Sequence, residues 1–507
     1  VDLGSILGED LVSERSLGHD RSDRPQCAAG HGVSRRAFLR SAGLTVSAAV
    51  LGGGFSEVLA SCQNGEEPST DSAALVTTES ISTTEVPTPT SVAAEPVFGR
   101  EIKLGLVSPI TGSLALYGKA DEWWMDLARK TLPEGILGAD GKRHMIRIVR
   151  ADSGSDAAAA SRAATLLITG AQVDLMMVSG PAVTVEPVTG RCEALSCPLI
   201  ANLTFLPDFV NGRALALSRS SRWTYAQAFG FESLVANYLA MWDQVDTNKK
   251  LGLLIVDDVD GSVWLSEQTI LLDALDEAGY SPLVLTYPVS AVDYGELVSA
   301  LGREGCEICL HTGAYRDFTL FWEQAVAQAY RPKVLTTWRA LSFPQELEAL
   351  RSIVGGVTVG ATWHPTWPFR DSLSGLSCQE LAEDYTAKTG EQWTPAIGQY
   401  AKFEWAVDVF ERVVDPDDKA EIALKIAQTD VRTCAGPVDF TTPQGADDGR
   451  HVSGGIYLAP LGGAQWLEGE RFPYEQVIVS DALSEELLVE GSVQSMLYDV
   501  DQDALPG

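Results

Sequence analysis

The chain has 507 residues, of which 45% are hydrophobic and 21% charged, an ordinary globular usage with room for two to four compact units. That excludes a wholly disordered chain, a collagen-like fibre and a small disulfide-stapled scaffold. The balance of 37 basic against 69 acidic residues leaves a net charge of −32, which repels nucleic-acid phosphates and anionic headgroups, so no nucleic-acid role is expected and solubility is the plain reading of the acidity.

The first sixty residues read as an address. Ser34-Arg35-Arg36-Ala37-Phe38-Leu39-Arg40 precedes a mildly apolar run from Ala42 to Ala60, broken by Gly43, Gly52, Gly53, Gly54 and Glu57. The run is too short and too glycine-rich for a membrane span. It fits a cleaved export signal, and the paired arginines resemble the twin-arginine type. Leu59-Ala60-Ser61-Cys62 resembles a bacterial lipobox, in which the Cys62 thiol is alkylated by diacylglycerol and becomes the new N-terminus. Residues 1–61 are therefore expected to be signal.

Residues 62–97 are expected to be a lipidated cysteine and its linker. Gln63 to Val97 contains twelve Ser or Thr, four Pro and six acidic residues, with no aromatic residue and no Lys or Arg. Such a segment buries too little apolar surface to offset chain entropy and should be disordered, with a mean reach of roughly 30–35 Å. A lipid at Cys62 would hold a soluble body beside a membrane.

From Phe98 the pattern becomes an alternation of strands and helices. Ile102 to Val107 reads as a buried strand, then a Pro/Gly loop and a helix through Trp123, Trp124 and Leu127. Strands are expected at His144–Arg150, Val173–Val178 and Pro198–Ala201, with helices at Ala157–Thr169 and Glu186–Leu195. The pattern restarts with a long helix over Trp223–Trp242 and a strand over Lys250–Val256. Further strands fall at Pro282–Leu285, Cys306–Leu310 and Val334–Thr336, with helices at Leu265–Ala278, Tyr294–Leu301 and Phe318–Ala329. Val357–Thr362 reads as a strand leading back to the first lobe, and Trp393–Val413 as a helix of that lobe. Gly436–Phe440 and Gly455–Leu458 look like late strands near a hinge.

This alternation implies an α/β fold of two doubly wound, Rossmann-like lobes with parallel sheets. The expected divisions are a first part of lobe one over 98–222, a first part of lobe two over 223–356, a hinge return with the remaining parts of both over 357–475, and an acidic surface tail over 476–507.

In open α/β sheets, ligands sit beyond the carboxyl ends of the strands. There the first strand is followed by Ser108-Pro109-Ile110-Thr111-Gly112-Ser113-Leu114-Ala115-Leu116-Tyr117-Gly118. Ser179-Gly180-Pro181 follows the third strand, and Asp257-Asp258-Val259-Asp260-Gly261 ends the first strand of lobe two. Cys192-Glu193 and Cys197-Pro198, Arg331-Pro332-Lys333-Val334, and Thr433 to Phe440 add to the set. Over about 98–475 the chain resembles the type I periplasmic binding proteins of the Leu/Ile/Val-binding branch, the receptors of ABC importers. The resemblance implies two lobes joined by three hinge strands, a small-molecule ligand buried by cleft closure, delivery to importer permease subunits, and no catalysis.

It also implies ligand contacts at Tyr117, at Gly180 and Thr184, at Asn202, Thr204 and Phe205, and in the His311-Thr312-Gly313-Ala314-Tyr315 loop at His311 and Tyr315. The family's glutamate for the ligand ammonium is replaced here within Thr337-Trp338-Arg339-Ala340. Arg339 would repel an ammonium and could fork onto a carboxylate. Trp338 and Trp363 offer flat apolar walls. A carboxylate- or amide-bearing ligand, amino-acid-like or aromatic, is therefore expected. The competing readings are Arg339 as a surface ion pair, the tryptophans as core, and Tyr117, Thr184, Thr204 and Tyr315 as loop caps. His364-Pro365 reads as a turn, and Trp123, Trp124, Phe403 and Trp405 as core.

Six cysteines remain beyond Cys62, and Cys192–Cys197 is the best candidate disulfide because a local loop joins them. Cys306 and Cys309 have odd spacing on a strand and should face apart. A zinc site of four cysteine ligands is the rival, but the spacings do not repeat, so neither metal nor cofactor is expected. Gly-x-Ser-x-Gly, His-Glu-x-x-His and Gly-x-Gly-x-x-Gly patterns are absent from the sequence. The expectation is a lipid-anchored, monomeric, extracytoplasmic receptor feeding an ABC importer. A ligand sensor for a signalling partner and a secreted α/β hydrolase are the alternatives.

Overall fold

The computed structural model describes residues 96–215, 222–265, 271–350, 355–444 and 450–498. All of these belong to one compact unit, Val76–Gly507. The other unit, Val1–Leu75, lies outside the described residues. So do the expected signal over 1–61, Cys62, and the linker as far as 95.

Lobe one begins with β1 (Ile102–Ser108), α1 (Asp121–Thr131), the short hairpin β2 (Ile136–Leu137) and β3 (Arg143–His144), and β4 (Ile146–Asp152). It continues through α2 (Ala157–Thr165), β5 (Leu175–Ser179), α3 (Ala182–Ala194), β6 (Leu199–Phe205), α4 (Leu206–Leu215) and β7 (Thr224–Phe229). The chain then enters lobe two with α5 (Phe231–Trp242), β8 (Lys250–Asp257), α6 (Val259–Leu265), α7 (Leu271–Glu277) and β9 (Ser281–Pro288). There follow α8 (Gly295–Glu304), β10 (Ile308–His311), α9 (Tyr315–Ala327), β11 (Val334–Thr337), α10 (Pro344–Leu350) and β12 (Thr358–Ala361). A second passage through lobe one supplies α11 (Cys378–Thr389), α12 (Ala401–Arg412), α13 (Lys419–Ile426), the hairpin β13 (Asp430–Thr433) and β14 (Gly436–Asp439), β15 (His451–Ser453) and β16 (Ile456–Leu458). The ribbon β17 (Gly462–Glu468) and β18 (Tyr474–Ser480) closes lobe two.

Each lobe is built on a seven-stranded sheet, ordered β15-β16-β7-β6-β5-β1-β4 in lobe one and β18-β17-β12-β11-β10-β8-β9 in lobe two. The pairings from β7 through β4 and from β12 through β9 are parallel. Helices cover both faces, so the central strands are buried on both sides and read as continuous apolar runs. Along β1, Leu104 and Leu106 pack with α1, α11 and α12, while Val107 packs on the other face with α2 and α3. In β8, Leu254 and Val256 face one core, and Leu251, Leu253 and Ile255 the other. Each such fully buried side chain contributes about 1.5–3 kcal/mol of transfer free energy.

The chain crosses between lobes at Gly230, after Ala361 and at Ala459–Leu461. These crossings lie side by side. The Ala459 N–H donates to the Ala228 carbonyl at 2.9 Å, and Asn237 Nδ2 donates to the Leu461 carbonyl at 3.0 Å.

Four expectations need correction. The single helix over Trp223–Trp242 is a strand followed by a helix, broken at Gly230, whose backbone is extended (φ −73°, ψ 142°). Both pieces are largely buried, so hydrophobicity there shows no clean period. The lobe boundary therefore falls at 230, not 222/223. Val357–Thr362 does lead to lobe one, but β12 itself pairs with β11 and β17 in the sheet of lobe two. Pro198–Ala201 is the start of a longer strand, β6, which carries Asn202 to Phe205 as well. Finally, 476–507 is not a tail from its first residue. Tyr474–Ser480 is β18, and the segment as far as 498 is docked on lobe two.

That docking combines backbone groups with a few irregularly spaced buried side chains, Leu487, Val493 and Met496, which is why it leaves no period in the sequence. Val493 N–H donates to Gln244 Oε1 at 2.8 Å, Met496 N–H to the Lys333 carbonyl at 2.8 Å, and Tyr498 Oη to the Pro332 carbonyl at 2.7 Å. The buried Gln465 is the central clamp. Its Nε2 donates to the carbonyls of Gly356 and Gln494, each at 2.7 Å, and its Oε1 accepts from Gln494 N–H at 2.9 Å. Gln465→Ala should cost about 2–3 kcal/mol, since three hydrogen bonds of a buried amide are lost at once, one of them to the buried Gly356 carbonyl. Urea unfolding of the full chain measures this, and an unchanged midpoint would refute the clamp.

Candidate functional site

The carboxyl ends of the two sheets face each other, and a cavity of about 60 Å³ lies between the lobes. From lobe one it is lined by Tyr117, by Gly180 and Pro181 beyond β5, by Leu203 and Phe205 at the end of β6, by Asp208 and Phe229, and by Pro395, Ala396 and Gln399. From lobe two come Leu234, Trp338, Arg339, Ser342, Phe343 and Gly360, with Thr362 on the crossing. The lobes touch through aromatic rings. Tyr117 meets Phe343 edge-to-face at 4.9 Å between centroids, and Phe205 meets Trp338 at 5.4 Å.

Local chemistry explains how these side chains are held. The loop after β1 is tied to the end of β4. Asp152 accepts from the N–H groups of Ile110, Thr111 and Gly154 and from Thr111 Oγ1. Partial burial works against its ionisation, but these hydrogen bonds outweigh it and hold its pKa below the ordinary carboxylate value. Gly180 sits at φ +110°, in the left-handed region, and a Cβ there would lie 3.7 Å from the Tyr117 ring. Glycine therefore lets the third-strand loop turn tightly beside Tyr117.

Two leucines carry strain on the two sides of the cavity, Leu203 at φ +46° and Leu341 at φ +58°. Such conformations cost a non-glycine residue about 1–3 kcal/mol and gather where loops are held for function. Leu203 marks the irregularity in β6 between Ala201 and Thr204, which turns the end of that strand. Beyond Leu341, Glu346 accepts from the Phe343 N–H at 3.3 Å and pins the loop that carries Ser342 and Phe343.

Of the residues expected from sequence, Tyr117, Gly180, Phe205, Trp338 and Arg339 line the cavity. The others do not. Thr184 and Thr204 are fully or almost fully buried. Asn202 is locked inside lobe one, accepting from Ser179 Oγ at 2.6 Å and donating to the Gly398 carbonyl at 2.9 Å. Asn202 and Thr204 belong to a strand, not to an open loop. His311 is core: it shares a 3.0 Å bond with Tyr287 Oη and stacks on Phe321, and burial followed by the nearby Arg339 charge lowers its pKa to about 3. Tyr315 begins α9 and packs against the second core. Trp363 is fully buried, donating from Nε1 to the Cys434 carbonyl at 3.0 Å.

The expected core residues Trp123, Trp124, Phe403 and Trp405 are all buried in lobe one. His364 is a buried turn residue bonded to Thr366 and to the Gln476 carbonyl.

Arg339 is both an ion pair and a cavity residue. Its Nη2 lies 2.7 Å from Asp258 Oδ2, and its Nε donates to the Thr312 carbonyl at 3.0 Å. Its guanidinium carbon also lies 5.4 Å from the Trp338 ring. Sequence reasoning missed Asp208, Phe229, Ser342, Phe343 and Gln399. Asp208 and Phe229 lie near the ends of elements whose bounds the hydrophobic pattern blurs, and no local pattern marks Gln399 as belonging to the site.

All six cysteines among the described residues are buried and free. Cys192 and Cys197 are neighbours, with Cys197 N–H donating to the Cys192 carbonyl at 2.9 Å, but the expected bond between them is not formed in this structure. Cys378 and Cys434 also meet, the Cys378 thiol donating to the Cys434 carbonyl at 3.2 Å. Among the described residues no group of His, Cys, Asp and Glu is arranged to hold a metal ion.

Comparison with known proteins agrees with this geometry. The sequence profile of the periplasmic binding protein family matches residues 101–464, and the chain belongs to that family. Its fold is similar to that of the leucine-binding protein LivK of Thermotoga maritima, with a TM-score of 0.60 at 16% identity over 74% of this chain and 98% of that one. A solute-binding protein of an ABC transporter from Rhodopseudomonas palustris, solved with 3,4-dihydroxybenzoic acid, gives a TM-score of 0.58 at 13% identity over 75% of this chain and 98% of that one. A fatty acid ABC transporter substrate-binding protein from Thermomonospora curvata gives 0.57 at 18% identity over 78% and 97%. No curated protein sequence matches. The family and these neighbours are binding proteins, and the protein is an extracytoplasmic solute-binding receptor of the type I periplasmic binding fold.

Burial pushes the Glu346 carboxyl up to about 8, against the hydrogen bonds it accepts from the loop. The native state thus keeps a proton that the unfolded chain gives up near 4.5, so this group's contribution to stability falls as pH rises from 4.5 to about 8 and then levels. Glu346→Gln should remove about 2 kcal/mol or more of that decline, seen as the difference between unfolding free energies at about pH 5 and about pH 8. Equal declines in the two proteins would contradict the assignment.

Proposed function

We propose that the cleft captures a small apolar, preferably aromatic, ligand bearing a carboxylate or amide, and that the loaded receptor delivers it to ABC importer permease subunits. The observation that carries this reading is the cavity wall. Five aromatic rings, Tyr117, Phe205, Phe229, Trp338 and Phe343, surround it, with Arg339 among them. Flat apolar walls with few convergent polar groups suit an aromatic acid. Trp338 Nε1–H is buried with no partner among the described residues, so it is a donor suited to a ligand oxygen. Arg339 supplies positive charge, shared with Asp258.

Two similar folds accord with such a guest. One was solved with 3,4-dihydroxybenzoic acid and another with benzoate.

Asp208 favours a second reading. An acidic residue in the lobe-one wall could accept the ammonium of an amino acid, as the LivK likeness would suggest. The two readings part on charge: benzoate should bind well without an ammonium, and leucine should need Asp208.

Further upstream, the reading keeps twin-arginine export, cleavage before Cys62, lipidation of its thiol and a monomeric body tethered beside the membrane. The absence of chemistry on the ligand remains part of it.

Calorimetry with benzoate and with leucine tests the ligand class. Benzoate is expected to bind more tightly, and Arg339→Ala to weaken it by about 2 kcal/mol, the size of a lost charge-assisted contact. Tighter binding of leucine, abolished by Asp208→Asn, would overturn the aromatic reading in favour of the second.

A further inference from the structure

Lys402 lies on α12 with no solvent exposure, behind the lobe-one wall and outside the set of residues that line the cavity. A buried ammonium is costly unless its donors are used. Here Nζ donates to Ser179 Oγ at 2.9 Å and to Gln399 Oε1 at 2.7 Å, and it lies 5.5 Å from the centre of the Trp124 ring.

These bonds have a direction. An ammonium can only donate, so Gln399 must present its Oε1 to Lys402 and its Nε2 to the other side. That Nε2 donates to the Tyr117 carbonyl. Ser179 Oγ, having accepted from Lys402, donates its own proton to Asn202 Oδ1 at 2.6 Å. The Asn202 amide is then forced to donate to the Gly398 carbonyl, at 2.9 Å. One charge thereby sets the polarity of two relays. They end on the turn carrying Tyr117 and on the segment carrying Pro395, Ala396 and Gln399, and they pass through the residue before Gly180.

We infer that Lys402 is the positioning residue of the ligand cleft, fixing from behind the orientation of Gln399, Tyr117 and Gly180 without touching the ligand. The inference rests on the reading of the cleft as the binding site. Burial lowers the Lys402 pKa to about 8, opposed by the charge of Asp121, so the donating ammonium prevails at neutral pH. Asp121 on α1 is itself 3.6 Å from Arg150 of β4. Glu404, two residues along α12, bonds to Ser372 and Cys434 instead.

Lys402→Met keeps the length of the side chain and removes the charge; relief from desolvating an ammonium and the loss of a donor to Gln399 Oε1 then oppose each other in stability. Gln399→Glu keeps a partner for Lys402 but removes the donor to Tyr117. Hydrogen exchange of the full chain without ligand is read over 108–118, 178–184 and 395–402, with 250–257 of lobe two as control. Lys402→Met should speed exchange by about tenfold in all three segments and leave the control unchanged. Gln399→Glu should act on 108–118 alone.

Benzoate affinity should fall about tenfold in Lys402→Met while the melting temperature holds. Loss of both together would show a merely structural lysine and overturn the inference. Unchanged exchange in the three segments would overturn it as well, whatever benzoate does. Altered exchange in a protein whose wild type takes no benzoate would sink the aromatic reading and leave Lys402 standing.

Discussion

The whole structure depends on three neighbouring backbone crossings between two rigid sheets. Ala459 is bonded to Ala228 just before Gly230, Leu461 to Asn237 of α5, and Ala361 pairs with Gly462 where β12 meets β17. Each lobe has its own seven-stranded sheet with helices on both faces, and neither core can deform cheaply. The crossings are therefore where bending costs least, and relative motion of the lobes is the soft coordinate. A guest between Tyr117–Phe343 and Phe205–Trp338 binds the closed arrangement through both lobes at once, whereas an open arrangement offers only one wall. That difference in affinity is what lets a ligand drive closure.

The two walls are held by different physics. In lobe two, the carboxyl of Glu346 grips a loop that contains a strained leucine, and Arg339 is steadied by Asp258 and by the Thr312 carbonyl. In lobe one, the loop after β1 hangs on Asp152, and the deeper supports run back to Lys402. Polar groups tied into hydrogen bonds serve orientation on both sides, a fully buried ammonium in lobe one and a part-buried ion pair with a buried carboxyl in lobe two. The cleft surface itself is mostly aromatic, so the same supports could serve different guests through changes in a few wall residues. A receptor family whose similar folds include leucine-, benzoate- and fatty-acid-associated proteins fits such an arrangement.

Much of this is legible in the sequence because buried parallel strands such as Leu104 to Val107 and Leu251 to Val256 leave unbroken apolar runs. Topology marks the loops beyond those strands as the place for a site, and the family resemblance singles out Tyr117, Gly180, Trp338 and Arg339 within them. What the sequence conceals has physical reasons. Asn202 and Thr204 read as loop residues, yet β6 runs on past Ala201 with an irregularity that turns both inward. His311 reads as available and is sealed by Tyr287 and Phe321. Gln399 and Lys402 act on residues some 220 to 280 positions earlier in the chain, a link that no local pattern encodes. The segment after β18 binds through scattered groups, Gln244, Gln465 and Tyr498 with the buried Leu487, Val493 and Met496, so its acidic composition suggests a free tail.

The central claim is closure around an unmodified guest. Pulsed electron resonance between spin labels at Leu166→Cys in lobe one and Val289→Cys in lobe two, both exposed sites, measures it directly. The account predicts a broad or longer distance distribution for the empty receptor that collapses to one shorter distance when the ligand is added. A distribution unmoved by saturating ligand would contradict it.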